Sequence, residues 1–159
     1  YYEMHDIGFN YRASDIHCAL ALSQLGKLPQ FSKRRQDLAK YYDQSLERFA
    51  PLLRPIRRVP NCTPVWHLYS VLVDFNQAGT DRATLMRLLQ KRGVGTQVHY
   101  IPVHLQPYYR DLYGDLTLPG CNAYYDKCLS LPLFPDMENK DVERVVSEVS
   151  TLLKSIDSP

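Results

Sequence analysis

The chain has 159 residues, 45% hydrophobic and 23% charged, enough to bury a core as one domain. A formal net charge of +2 excludes a partner captured by bulk charge, so no nucleic acid is expected. No apolar run approaches membrane-spanning length and no basic leader precedes an apolar stretch, so no membrane partner is expected and the location is read as cytoplasmic.

Taken in chain order, the opening Tyr1-Tyr2-Glu3-Met4 reads as the continuation of something longer. Ser14 is the expected N-cap of a first helix over residues 16–25. That helix is apolar nearly all round, with Ile16, Cys18, Ala19, Leu20, Ala21, Leu22 and Leu25. It must be covered on more than one side, and the rest of the chain does not suffice. Pro29 is expected in the first turn of a second helix, which Pro51 ends. Its apolar stripe runs Phe31, Leu38, Tyr42, Leu46 and Phe49.

The β-branched and aromatic run over residues 66–75 predicts a strand, and residues 81–92 a helix stopped by Gly93. Residues 94–100 give a second strand, completing a strand–helix–strand unit. A Pro-rich stretch precedes a short helix over 122–128. Residues 129–134 form a third strand, which Pro132 confines to an edge or shortens. The last helix carries one stripe of Val142, Val145, Val146, Val149, Leu152, Leu153 and Ile156. The architecture is two helices followed by a small α/β unit.

The four cysteines, Cys18, Cys62, Cys121 and Cys128, make no Cys-x-x-Cys pair and are read as reduced and buried. Eight of the 12 tyrosines come as adjacent pairs, where one ring packs and the other faces a groove. Three clusters carry chemistry. Gly8-Phe9-Asn10-Tyr11-Arg12 puts an amide and a guanidinium beside a helix start, which suits an anion or else an ordinary turn. From His99 to Tyr109 run two histidines, three tyrosines and a glutamine, stiffened by two prolines. This is a substrate-loop pattern, with packed histidines as the plain alternative and a metal disfavoured by the spacing. The basic groups Lys33, Arg34, Arg35, Arg54, Arg57 and Arg58 read as a solvated face.

Read together, five stretches in order resemble the DegT/DnrJ/EryC1/StrS sugar aminotransferases: GFNYRASDIHCALALSQLGKL, RR-x5-YYDQSL, WHLYSVLVDF, RGVGTQVHYIPVHLQPYY and AYYDKCLSLPLFPDM. The resemblance covers nearly the whole chain. It implies the α+β small domain of the type I aminotransferase fold, with helices packed on a small, mostly antiparallel sheet. Residues 1–28 would be an interface loop and helix, and 29–159 the small domain. It implies pyridoxal 5'-phosphate as cofactor, and a homodimer whose active site is shared across subunits. The substrates would be L-glutamate and a UDP-linked 4-keto-6-deoxy sugar, in the branch that makes surface polysaccharide or pseudaminic acid precursors.

By the same resemblance Asn10 reaches the cofactor phosphate of the neighbouring subunit, and Arg12 assists with phosphate or nucleotide charge. His99, Tyr100 and His104 are the substrate contacts. The family's Schiff-base lysine has no match among the seven lysines, so it lies outside this chain and the chain alone is expected to be inactive. A non-catalytic, stand-alone α/β binding module is the alternative.

Overall fold

The computed structural model describes residues 8–9 and 11–155. Helix α1 spans Asp15–Leu46 and is followed by a 3-10 turn over Glu47–Phe49. Then come strand β1 (Leu53–Pro55), strand β2 (Tyr69–Val73) and helix α2 (Arg82–Lys91). The remaining elements are helix α3 (Pro107–Tyr113), helix α4 (Pro119–Lys127), strand β3 (Cys128–Leu131) and helix α5 (Asn139–Ser155).

The three strands form one antiparallel sheet with β2 central. Leu53 faces Val73 across β1 and β2, and Ser70 faces Ser130 across β2 and β3. Tyr69, Val71 and Val73 alternate inward along β2. They meet Leu38, Tyr42 and Leu46 of α1, Leu85 and Leu89 of α2, and Val142, Val146, Val149 and Leu153 of α5, all in one core. This is the expected architecture of helices on a small antiparallel sheet. The α5 stripe is buried as the 3.6-residue period requires, with Ile156 outside the described residues.

Two expected elements change. The first two helices are one: α1 runs through Pro29 without a break. An interior proline removes the hydrogen bond to the carbonyl four residues earlier, that of Leu25. The residues around it are exposed, so that carbonyl is open to solvent. The expected strand over 94–100 is reduced to one antiparallel bridge, Gln97 with Ser130. The outer edge of β3 explains this. Ser130 exchanges both backbone bonds with Gln97, at 3.1 and 2.8 Å. The next outward-facing position on one side is Pro132, which has no N–H and whose carbonyl accepts from the Tyr42 hydroxyl. On the other side the Cys128 carbonyl accepts from Arg82. The ladder has nowhere to extend.

The sequence reading missed β1 and α3. It also misjudged part of the basic face. Lys33 is exposed and pairs with Asp37, but Arg34 donates to the Met137 carbonyl and Arg35 to that of Trp66. Arg58 lies 3.9 Å over the Trp66 ring and donates to Asp43, which also accepts from the Tyr69 hydroxyl at 2.7 Å. Tyr69 stacks on Tyr42 with ring centroids 4.4 Å apart. Burial first, and then the bond to Asp43, push the Tyr69 phenol well above its ordinary range. These arginines tie α1 to the loops around it. Of the cysteines, all free, only Cys128 is buried; Cys18, Cys62 and Cys121 are exposed. Small thiols tolerate either environment, and three of them sit on surfaces that this chain does not cover.

Candidate functional site

The loop after α2 is built by a chain of local rules. Asp81 caps the helix by accepting from the Thr84 N–H at 2.9 Å. Gly93, at φ +74°, ends it in the left-handed region. A Cβ there would also stand 3.1 Å from the Arg144 guanidinium, which donates to the Arg92 carbonyl. Val94 then turns inward, and the chain passes β3 at Gln97.

His99 follows two residues later, half-buried, with Nδ1 2.9 Å from the Ser130 hydroxyl. Ser130 is itself 3.1 Å from the Ser70 hydroxyl across the sheet. Tyr100 packs its ring edge-on to His99 with centroids 4.7 Å apart, yet is 73% exposed. Pro102 is buried and opens a 3-10 turn over Val103–Leu105. His104 lies within that turn, buried, with Nε2 2.9 Å from the Asn122 side-chain oxygen on α4. The Gln106 amide donates back to the Ile101 carbonyl. Helix α3 then carries Tyr108, Tyr109 and Tyr113 outward, with the rings of Tyr109 and Tyr113 near-parallel.

The two histidines of the loop are placed differently. His99 and Tyr100 form one unit that reaches solvent. His104 has a separate partner and an inward place, so it braces the loop against α4 in this chain. Arg12 is exposed just before the α1 N-cap, Ser14, whose hydroxyl lies 2.8 Å from Nδ1 of His17. Asn10 lies outside the described residues. Among the described residues, no hydrogen bond, ion pair or ring contact joins Arg12 to the His99 loop. The two candidate clusters are thus not joined by any such contact among the described residues.

The uncovered surface is apolar. Ile16 is 81% exposed and Leu22 72%, and every described residue from Gly8 to Gln30 is exposed. Ile101, Val103, Tyr108, Leu112 and Tyr113 are exposed along the loop and α3. Exposed apolar side chains in such number are characteristic of interaction surfaces. Ser70, Ser130 and Asn122 were missed by sequence reasoning. The signal was present at Ser130, a hydroxyl inside a strand of which every residue is buried.

Comparison with known proteins gives a consistent picture. Residues 1–150 match the sequence profile of the DegT/DnrJ/EryC1/StrS aminotransferase family. Among solved structures, aminotransferase TlmJ from Streptoalloteichus hindustanus superposes with a TM-score of 0.83 at 30% identity, over 98% of this chain and 41% of its own. PseC of Helicobacter pylori, an aminotransferase of pseudaminic acid biosynthesis, gives a TM-score of 0.85 at 28% identity, over 96% of this chain and 41% of its own. DesV of S. venezuelae, solved with a ketimine intermediate, gives 0.76 at 29% identity, over 96% and 40%. The chain spans about two fifths of the length of each.

Proposed function

The chain belongs to the DegT/DnrJ/EryC1/StrS aminotransferase family, and from that premise we propose that it is a portion of a pyridoxal-phosphate-dependent nucleotide-sugar aminotransferase. The observation that carries this reading is the family match along residues 1–150. The amino donor is L-glutamate and the acceptor a UDP-linked 4-keto-6-deoxy sugar. The likeness to PseC supports the branch leading to pseudaminic acid and surface polysaccharide.

The residues present fit one end of the cofactor and not the other. Arg12 is an exposed guanidinium free to meet a phosphate, and Asn10, two residues earlier in the sequence, carries an amide. No lysine here offers an enclosed amine. Lys33, Lys127 and Lys140 are held in ion pairs with Asp37, Asp74 and Glu138, Lys154 lies 5.5 Å over the Phe49 ring, and Lys27, Lys40 and Lys91 are exposed. The Schiff-base lysine therefore belongs to a part of the protein outside these residues. Pyridoxal phosphate, when bound, supplies the electron sink for moving an amino group. The residues of this chain bind and orient. Asn10 holds the phosphate of the cofactor in the neighbouring subunit, and Arg12 assists with phosphate or nucleotide charge. His99 and Tyr100 meet the sugar nucleotide, and His104 holds the turn that keeps them in place.

The partner is a second copy of the protein. The bare apolar run of α1 supports this, since residues 1–28 then serve as the interface segment and 29–159 as the small domain. The boundary falls just before half-buried Phe31, where α1 begins to touch its own core.

The test has two arms. The chain alone, mixed with pyridoxal phosphate and reduced with borohydride, is expected to show no stoichiometric adduct on a single lysine. Such an adduct would overturn the reading. The full-length enzyme is expected to aminate a UDP-4-keto sugar in preference to its dTDP counterpart. In it, Asn10→Ala should weaken cofactor affinity by roughly ten- to a hundredfold, the size of one charge-assisted hydrogen bond, with apo-protein stability unchanged. The reverse result assigns Asn10 to the turn instead.

A further inference from the structure

We propose that Ser130 is a positioning residue for His99, and that the Ser70–Ser130–His99 hydrogen-bond relay sets which ring nitrogen faces the sugar nucleotide. The inference rests on the reading of His99 as a substrate contact.

Ser70 and Ser130 sit directly opposite each other in the β2–β3 register. The pair interrupts an otherwise apolar part of the sheet, between Tyr69 and Val71 on one strand and Leu129 and Leu131 on the other. Burying a hydroxyl without a partner costs on the order of 1–3 kcal/mol. Two alkyl side chains would satisfy the sheet without that exposure to loss. What the hydroxyls do that alkyl groups would not is reach His99. Ser130 grips the loop twice: its backbone exchanges two bonds with Gln97, and its hydroxyl meets Nδ1 of His99 at 2.9 Å.

A hydroxyl has one proton to give. The relay can run in either sense, and in both Ser130 occupies Nδ1 of His99. Among the described residues Nδ1 alone of the two ring nitrogens is engaged. Nε2 is the nitrogen left to meet a ligand, and the Tyr100 ring packs edge-on beside the imidazole. The arrangement is that of a metal-binding or catalytic histidine oriented by its neighbour, applied here to a binding contact.

The experiment uses the full-length dimer, with UDP alone as the binding probe in calorimetry and steady-state kinetics beside it. Ser130→Ala is expected to weaken UDP binding and raise KM for the nucleotide sugar by roughly three- to tenfold, the worth of one hydrogen bond. The glutamate half-reaction should be unchanged. Ser130→Thr, which restores the hydroxyl, should recover most of the loss, and Ser70→Ala should show a smaller loss of roughly two- to threefold. Ser130→Cys fills the site with a slightly larger group and weakens the bond, so it replaces Ala if Ala lowers the melting temperature. Unchanged UDP binding in Ser130→Ala, beside weakened binding in His99→Ala, overturns the positioning role and leaves the substrate reading intact. Unchanged binding in His99→Ala overturns both. Equal losses in the glutamate half-reaction and in thermal stability assign Ser130 to the fold alone.

Discussion

The two halves of α1 are one helix with two environments. From Asp15 to Gln30 every residue is exposed, although leucines and isoleucine recur there. From Phe31 to Leu46 the helix buries Leu38, Ala39, Tyr42 and Leu46 against the sheet and α5. The apolar content of the first half is no lower than that of the second. What differs is the neighbour: the second half meets surfaces of its own chain, and the first meets none. Hydrophobicity in a sequence thus reports that a face will be covered, and says nothing of which chain covers it.

The sharpest way to break this contrast is to cut the same side chain from both halves. Leu46→Ala should destabilise the chain by about 2–5 kcal/mol, read by denaturant titration. Leu22→Ala, measured at dilution where the chain is monomeric, should change stability by less than about 0.5 kcal/mol. The isolated chain should self-associate in sedimentation, and Leu20→Lys with Leu25→Lys should abolish this. A large stability loss from Leu22→Ala would mean that the first half is already packed.

The next effect is polar. Asp43→Asn weakens the bonds to Arg58 and Tyr69, which hold the second half of α1 to β2. Since both charged groups are about a third exposed, the expected loss is about 1–2 kcal/mol rather than the full value of a buried pair. The same cluster gives an alkaline limb. Tyr69 binds its proton more tightly folded than unfolded, so its contribution is complete below the ordinary phenol range near pH ~10 and is lost as pH rises beyond it. Tyr69→Phe should flatten that limb in melts taken across alkaline pH.

Much of this could be read in the residues. The α5 stripe, the Ser14 cap and the Gly93 stop follow from spacing and backbone rules that act within a few residues. The loss of the strand over 94–100 was not legible. It depends on Arg82 and Tyr42, distant in sequence, occupying the carbonyls on either side of Ser130. The same limit applied at the site. His99 and Tyr100 stood out by type, whereas Ser130 mattered only through the loop that crosses it. His104 was legible as a histidine, and its inward turn toward Asn122 was not.

The smallest effects lie in the capping carboxylates. The backbone and side-chain bonds from Thr84 hold the Asp81 carboxyl below its ordinary range, and the Lys127 bond does the same for Asp74. Their contributions are present above the unfolded carboxylate range near pH ~4 and fade as pH falls through the lowered folded values. Asp81→Ala should lower the melting temperature at neutral pH by a few degrees at most, and both Asp81→Ala and Asp74→Ala should make acid unfolding shallower.

The uncovered half of α1 is also a lever. Sixteen residues at ~1.5 Å each make an arm of about 24 Å, clamped at Phe31 and carrying Arg12 just beyond its free end. A tilt of about 5° at the clamp moves such a tip by about 2 Å, more than a hydrogen bond tolerates. Pro29 removes one rung of the helix beside that fulcrum, where bending has the longest reach. Any angular shift of the core is thus delivered, magnified, to the segment that carries Arg12.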